Sequence, residues 1–286
     1  MTPAATILHL LTEPLGSPVV ARAAGELALL GVVSGVLGSW IVLWGLSYSA
    51  ESLAHAMFPG LVLAALTGIP LLLGGAAGLL VAALAIALVG RTPVLDRDVA
   101  VAVVISTLLG LGVLLGLSPR TPAGLGSLLF GDVLGVGPLD LTLAAALGAV
   151  SLTVLGVLHP RLTAIGFDRS AAVASGGSAA SADVVLTVLL ALATLVAVQA
   201  LGNLLVVATL VGPAATARVL TRRLVPMMAV ATGTAIVASL AGLYLSYYAG
   251  IAAGASVTAA IVAAYLAALL ARAIGDARLR PAAATR

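Results

Sequence analysis

The sequence predicts an all-α membrane protein, a polytopic bundle of about eight or nine transmembrane helices. Three observations carry this expectation. The 286 residues are 62% hydrophobic and only 8% charged, whereas a soluble domain carries about 25% charged residues. The mean hydropathy is +1.25. The apolar runs are continuous and rich in Leu, Ala and Val. Such runs suit helices of about 20 residues, not the alternating ~10-residue strands of an outer-membrane barrel. With its loops each crossing takes about 30 residues, which gives the expected number.

Residues 1–26 contain Pro3, Glu13, Pro14, Pro18 and Arg22 and read as a polar N-terminal segment. They lack the basic start, apolar middle and cleavage site of a signal peptide. The membrane domain is expected over 27–273, with spans at 27–47, 53–69, 70–90, 99–117, 139–158, 183–201, 203–217, 226–248 and 255–273. Gly68, Ile69 and Pro70 alone divide the second from the third. The stretch 203–217 is short and carries Gly212 and Pro213. In the first span Gly31, Ser34, Gly35 and Gly38 offer a small-residue face on which another helix can pack closely. The segment 118–138 is rich in Gly and Pro yet partly apolar, as suits a re-entrant or cavity-lining element. The residues 274–286 read as a cytoplasmic tail.

The arginines orient the bundle. If the loop at 159–182 is cytoplasmic, eleven of the thirteen arginines fall on the inner side, leaving Arg22 and Arg120 outside. Only basic residues near span ends set orientation, so this asymmetry places the C-terminus inside. With nine spans the N-terminus is outside; with eight it would be inside. The pI near 9.8 is therefore a mark of topology and implies no nucleic-acid partner.

Two absences narrow the chemistry. The chain has no cysteine, which excludes thiolate metal sites and thiol nucleophiles. It also has no lysine, so it cannot form the Gly-Lys-Ser/Thr loop that cradles ATP phosphates. HExxH and GxSxG patterns are absent as well, and no catalytic set supports a membrane enzyme.

Glu51 and His55 are the strongest candidate site. They lie four residues apart at the start of the second span, so a helix puts both on one face. Ionisable groups inside a bundle are costly and mark pathways or cavities. Carboxylate with neutral imidazole suits zinc, manganese or ferrous iron, and two copies meeting on a dimer axis would supply four ligands. The alternative is a Glu51 among cytoplasmic headgroups and a His55 that only bonds a backbone carbonyl. His159 reads as an interfacial residue and His9 as a solvent-exposed one. Asp132 and Asp140 flank the outer segment, where they could steer cations, although Asp140 is better placed to cap the next helix. Gln199 and Asn203 are also four apart, with Gly202 a potential break between them, and suit interhelical hydrogen bonds. Around 161–182, Asp168 can cap a short helix that Gly176 and Gly177 end, forming either a docking knob or a plain loop.

Taken together these residues resemble the membrane subunit of ABC importers for divalent metals, the zinc/manganese/iron permease family of ABC-3 type. The likeness runs from about residue 27 to 270. Glu51 through Gly60 is similar to the family's acidic-x-x-Ser/Ala-His-x-x-x-Pro-Gly pattern, and Leu128 through Leu134 to its Leu-Phe-Gly-Asp-hydrophobic-Leu motif. Phe167 through Gly176 resembles its coupling segment. Gln199 through Gly202, Leu204 through Ala208 and Pro213 through Arg218 form the strongest match; Gly242 through Tyr248 and then Gly254 follow in order. There are departures: the family usually has Asp where Glu51 stands, Pro-Glu where Arg169 and Ser170 stand, and an apolar residue at Asn203.

The resemblance implies a type II, vitamin-B12-permease-like bundle that is homodimeric and lies in the cytoplasmic membrane of a prokaryote. It implies metal ligation by Glu51 and His55, and ATPase coupling through Phe167, Asp168, Arg169, Ala172 and Gly176. The pathway or gate would take in Pro59, Asp132, Gln199, Asn203, Pro213 and Thr216. An outer metal-binding protein would deliver the cation as cargo. A separate ATPase subunit would supply energy, so the chain itself is no enzyme and holds no permanent cofactor. A permease for another small chelate or cofactor, or a secondary carrier working without partners, are the alternatives.

Overall fold

In the computed structural model the described residues are 12–89, 97–119, 131–168, 170, 179–202 and 205–279. Among them run nine α-helices and no strand. In order these are α1 (Pro18–Leu43), α2 (Ser47–Thr67), α3 (Leu71–Val89), α4 (Arg97–Gly116), α5 (Pro138–Phe167), α6 (Ala179–Leu201), α7 (Val206–Leu220), α8 (Leu224–Ala249) and α9 (Ala253–Leu279). Each predicted span lies largely within one helix. Six helices are long and apolar enough to cross a membrane, while Leu71–Ala82, Val101–Gly116 and Val206–Leu220 are shorter apolar stretches.

The boundaries displaced furthest are the start of α1 and the end of α5. α1 begins at Pro18, within the stretch read as a polar segment up to residue 26. Proline breaks a helix in its interior but is favoured in the first turn, where its missing N–H is not needed. Arg22 and Glu26 are therefore helical. The Gly68–Pro70 turn does separate two helices, α2 ending at Thr67 and α3 starting at Leu71.

α1 is the central helix, packed against α5, α6, α7 and α8. Its Leu27, Leu37, Trp40 and Ile41 are fully buried. The small-residue face works as expected. A Cβ on Gly35 would collide with the Thr232 backbone of α8, and one on Gly38 with the Leu210 carbonyl of α7. At Gly31 it would lie 2.9 Å from Ile236 Cγ1. α2, α3 and α4 form a second group, joined to the first chiefly through α6. Here too glycines permit the approach: a Cβ on Gly78 of α3 would stand 2.7 Å from the Met57 carbonyl oxygen of α2. Since lipid tails are as apolar as Leu, such packing and not hydrophobic exclusion holds membrane helices together.

α1 and α5 run in the same direction. Gly148 meets Val33, the His159 ring lies edge-on to Trp40 with centroids 5.5 Å apart, and Gly166 meets Trp44. With 30 residues, α5 is about 45 Å long and exceeds a hydrocarbon core of about 30 Å. Its C-terminal end, Phe167 followed by Asp168, lies beside the C-terminal end of α1.

Candidate functional site

Glu51 and His55 occupy the second and third turns of α2, on one face as their spacing requires. His55 Nε2 lies 3.9 Å from Glu51 Oε1, too far for a hydrogen bond. The Glu51 side chain is 56% exposed and that of His55 19%. His55 Nδ1 is buried without a hydrogen-bond partner, and so is the Ser52 hydroxyl in the same turn. Carboxylate and imidazole thus both retain capacity for a ligand. Among the described residues no backbone carbonyl accepts from His55 Nδ1. Among the described residues no third His, Asp or Glu joins them to make a group able to hold a metal.

The other candidates are distributed along the bundle. Pro59 lies one turn beyond His55, where a Cβ on Gly112 of α4 would come within 2.9 Å of its nitrogen. Pro213 and Thr216 are buried in α7, the Thr216 hydroxyl donating to the Gly212 carbonyl at 2.9 Å. Pro213 has no N–H to give the Thr209 carbonyl one turn back. Gln199 is on the last turn of α6, its side chain outside the described residues, as is all of Asn203. The expected interruption between them is present: α6 stops at Leu201 and Gly202 has φ 73°, a left-handed conformation that glycine adopts without strain.

At the opposite end from Glu51, the exposed Asp132 accepts the Gly135 N–H at 3.0 Å and so caps a 3-10 turn, Val133–Gly135. Asp140 accepts the Gly137 N–H at 3.0 Å, the capping role expected of it. At the C-terminal end of α5, Phe167 is 76% exposed. Asp168 is exposed beside it and accepts a hydrogen bond from the Ser170 hydroxyl at 2.7 Å. Arg169, Ala172, Gly176 and the helix expected after Asp168 fall outside the described residues, as do His9 and the outer motif as far as Phe130. His159 stands at the Trp40 edge.

One residue escaped the sequence reading. Glu26 is 1% exposed, the one charged side chain fully buried among the described residues. Its Oε2 has no hydrogen-bond partner, and the charge acting on it is that of Asp140. Its spacing to Leu30, Val33 and Leu37 puts it on the buried face of α1. That signal was present in the sequence but requires the helix to start at Pro18. A buried carboxyl oxygen without a hydrogen-bond partner costs stability, so Glu26→Leu is expected to stabilise the detergent-solubilised protein by about 1–3 kcal/mol. A thermal-unfolding series measures this; a lower midpoint would show that the carboxyl makes a stabilising bond.

Long apolar helices packed closely through glycines define a multi-pass membrane protein. The chain belongs to the ABC 3 transport family, whose model matches residues 17–272. It is 33% identical over 218 residues to the manganese transport system membrane protein MntC of Listeria monocytogenes, covering 76% of this chain and 78% of that protein. It is 31% identical over 242 residues to the chelated iron transport system membrane protein YfeC of Yersinia pestis, covering 85% and 82%. Among solved structures it is similar to PsaBC from Streptococcus pneumoniae in complex with Fab. That likeness has a TM-score of 0.83 and 28% identity, over 90% of this chain and 94% of that one.

Proposed function

We propose that this chain is the permease subunit of an ABC importer that carries a divalent cation of the manganese, iron and zinc class inward across the cytoplasmic membrane. The observation that carries the reading is the Glu51–His55 pair, two hard-to-borderline ligands with unspent capacity on one helix face. The manganese and iron transport named for its relatives supports it. Two ligands do not hold such a cation, and a second copy of the chain across a two-fold axis would complete four.

In this reading nine helices cross the membrane in a type II arrangement, with the C-terminus and most arginines inside. An outer binding protein delivers the cation. ATP acts only through a partner ATPase, because the lysine-free chain cannot build its own phosphate loop. Closure of the ATPase pair would draw together the segments from Phe167 to Gly176, and the helices would rock to open the pathway on alternate sides. The cation is cargo: Glu51 and His55 hold it weakly enough to release it.

The test is reconstitution in liposomes. Manganese uptake is expected to require ATP and the ATPase subunit; equal uptake by the chain alone would establish a secondary carrier instead. Asp168→Arg is expected to lower ATPase co-purification by about tenfold, the cost of reversing a charge in a docked interface. Unchanged co-purification would remove Asp168 from the coupling surface.

A further inference from the structure

We propose that Trp44 is the positioning residue that transmits movement of the ATPase-facing end of α5 to the Glu51–His55 turn of α2. The inference rests on the coupling reading of Phe167–Gly176 given above, and adds the route by which that segment reaches the ligands.

The route is short and made of stiff parts. Gly166 is the residue before the exposed Phe167, and a Cβ placed on it would stand 2.9 Å from Trp44 Nε1 and 3.7 Å from Leu43 Cδ2. Gly166 thus has no side chain to hold the Trp44 indole away from the α5 backbone. One turn earlier on α1, Trp40 is fully buried and meets the His159 ring at 71°. These are the only two tryptophans in the chain, spaced four apart with Trp40 in the last turn of α1 and Trp44 capping its end, and both bear on the C-terminal third of α5. Large rigid rings packed against a helix carry displacement with little internal freedom to absorb it.

Beyond Trp44 the chain turns directly into α2. Gly45 has φ 69°, a conformation that glycine adopts freely and other residues resist. The turn is tied to α1 by the Leu46 N–H, which donates to the Ile41 carbonyl at 2.8 Å, and by the Trp44 N–H, which donates to Trp40 at 2.9 Å. The Ala50 N–H then donates to the Leu46 carbonyl at 3.0 Å, so hydrogen-bonded backbone leads from the indole to the residue before Glu51. α2 packs mainly on α3, α4 and α6. A push by α5 on Trp44 is therefore applied at the base of α2, while the α3 and α4 contacts act as the fixed side. The result is a change in the position of Glu51 and His55 relative to their copies in a second subunit.

The experiment measures manganese taken up per ATP hydrolysed by the assembled transporter in proteoliposomes. It compares wild type with Trp44→Ala, Trp44→Phe and Gly166→Ala. Trp44→Ala is expected to keep ATPase co-purification and hydrolysis while lowering uptake per ATP by about tenfold, the scale of coupling between distant sites. Gly166→Ala, whose methyl displaces the indole, is expected to lower it in the same direction. Trp44→Phe, which keeps a flat ring, is expected to restore most of the ratio. An unchanged ratio in Trp44→Ala overturns the proposal and leaves the coupling reading intact. Equal loss of uptake and hydrolysis, with a lowered unfolding midpoint not rescued by Trp44→Phe, also overturns it, since the residue is then only structural. Normal ATPase association in both Asp168→Arg and Phe167→Arg overturns the coupling reading and this route with it.

Discussion

His55→Ala is expected to lower ATP-driven manganese uptake by about 100-fold or more, since even outer-shell partners of metal ligands are worth up to that much. The measurement is radiolabelled uptake in proteoliposomes, with ATPase co-purification as the control for assembly. Assembly should persist, because His55 is a mostly buried side chain in the third turn of α2 and is no part of the Phe167–Asp168 end of α5. His55→Ala removes one of the two ligand side chains on α2 and, in a symmetric dimer, two of four. Glu51→Gln should fall nearly as far, since it keeps the shape but loses the charge that offsets a divalent cation. Glu51→Asp should stay active, because an aspartate at this place is the usual choice of the family that the sequence resembles. Uptake by His55→Ala at the wild-type rate would dismiss the site. So would an equal loss in Glu51→Asp and Glu51→Gln, which would mark Glu51 as a steric element.

The second large effect concerns the fold. Gly35→Leu is expected to abolish the packing of α1 on α8. A Cβ at this position already collides with the backbone of Thr232, which cannot rotate away as a side chain can. Overpacking in a well-filled interior costs about 1–3 kcal/mol when neighbours can yield; against backbone the upper end or more is expected. Gly156→Leu on α5, where a Cβ meets nothing within 4 Å, is the matched control. Size-exclusion profiles and thermal midpoints in detergent distinguish them. Equal behaviour of the two variants would mean that α1 and α8 are less closely packed than described.

Much of this was readable from the sequence because membrane helices leave a coarse signal. Long apolar runs, punctuated by Gly68–Pro70 and Gly202, mark where helices stop, and the bilayer admits no other regular structure for such runs. The Glu51–His55 face needed only the helical period. What sequence reasoning placed wrongly depended on context: Pro18 reads alike as a breaker or as a first-turn residue. Taking it as a breaker left Glu26 at the margin of a polar segment instead of on a buried face. The packing of Trp40 on His159 and of Trp44 on Gly166 joins residues more than a hundred positions apart, and nothing local to either partner announces it.

The brevity of α7 has an electrostatic consequence. Its 15 residues cover about 22 Å, against a hydrocarbon slab of about 30 Å. In the proposed nine-span reading, the left-handed turn at Gly202 and the Pro213-freed carbonyl of Thr209 bring peptide dipoles to depths where lipid offers none. The self-energy of an ion grows with the thickness of weakly polarisable material around its path. A helix that stops short, flanked by longer ones, locally thins that material without thinning the bilayer. For a doubly charged ion, whose solvation cost rises with the square of its charge, those few ångströms weigh four times as heavily as for a singly charged one.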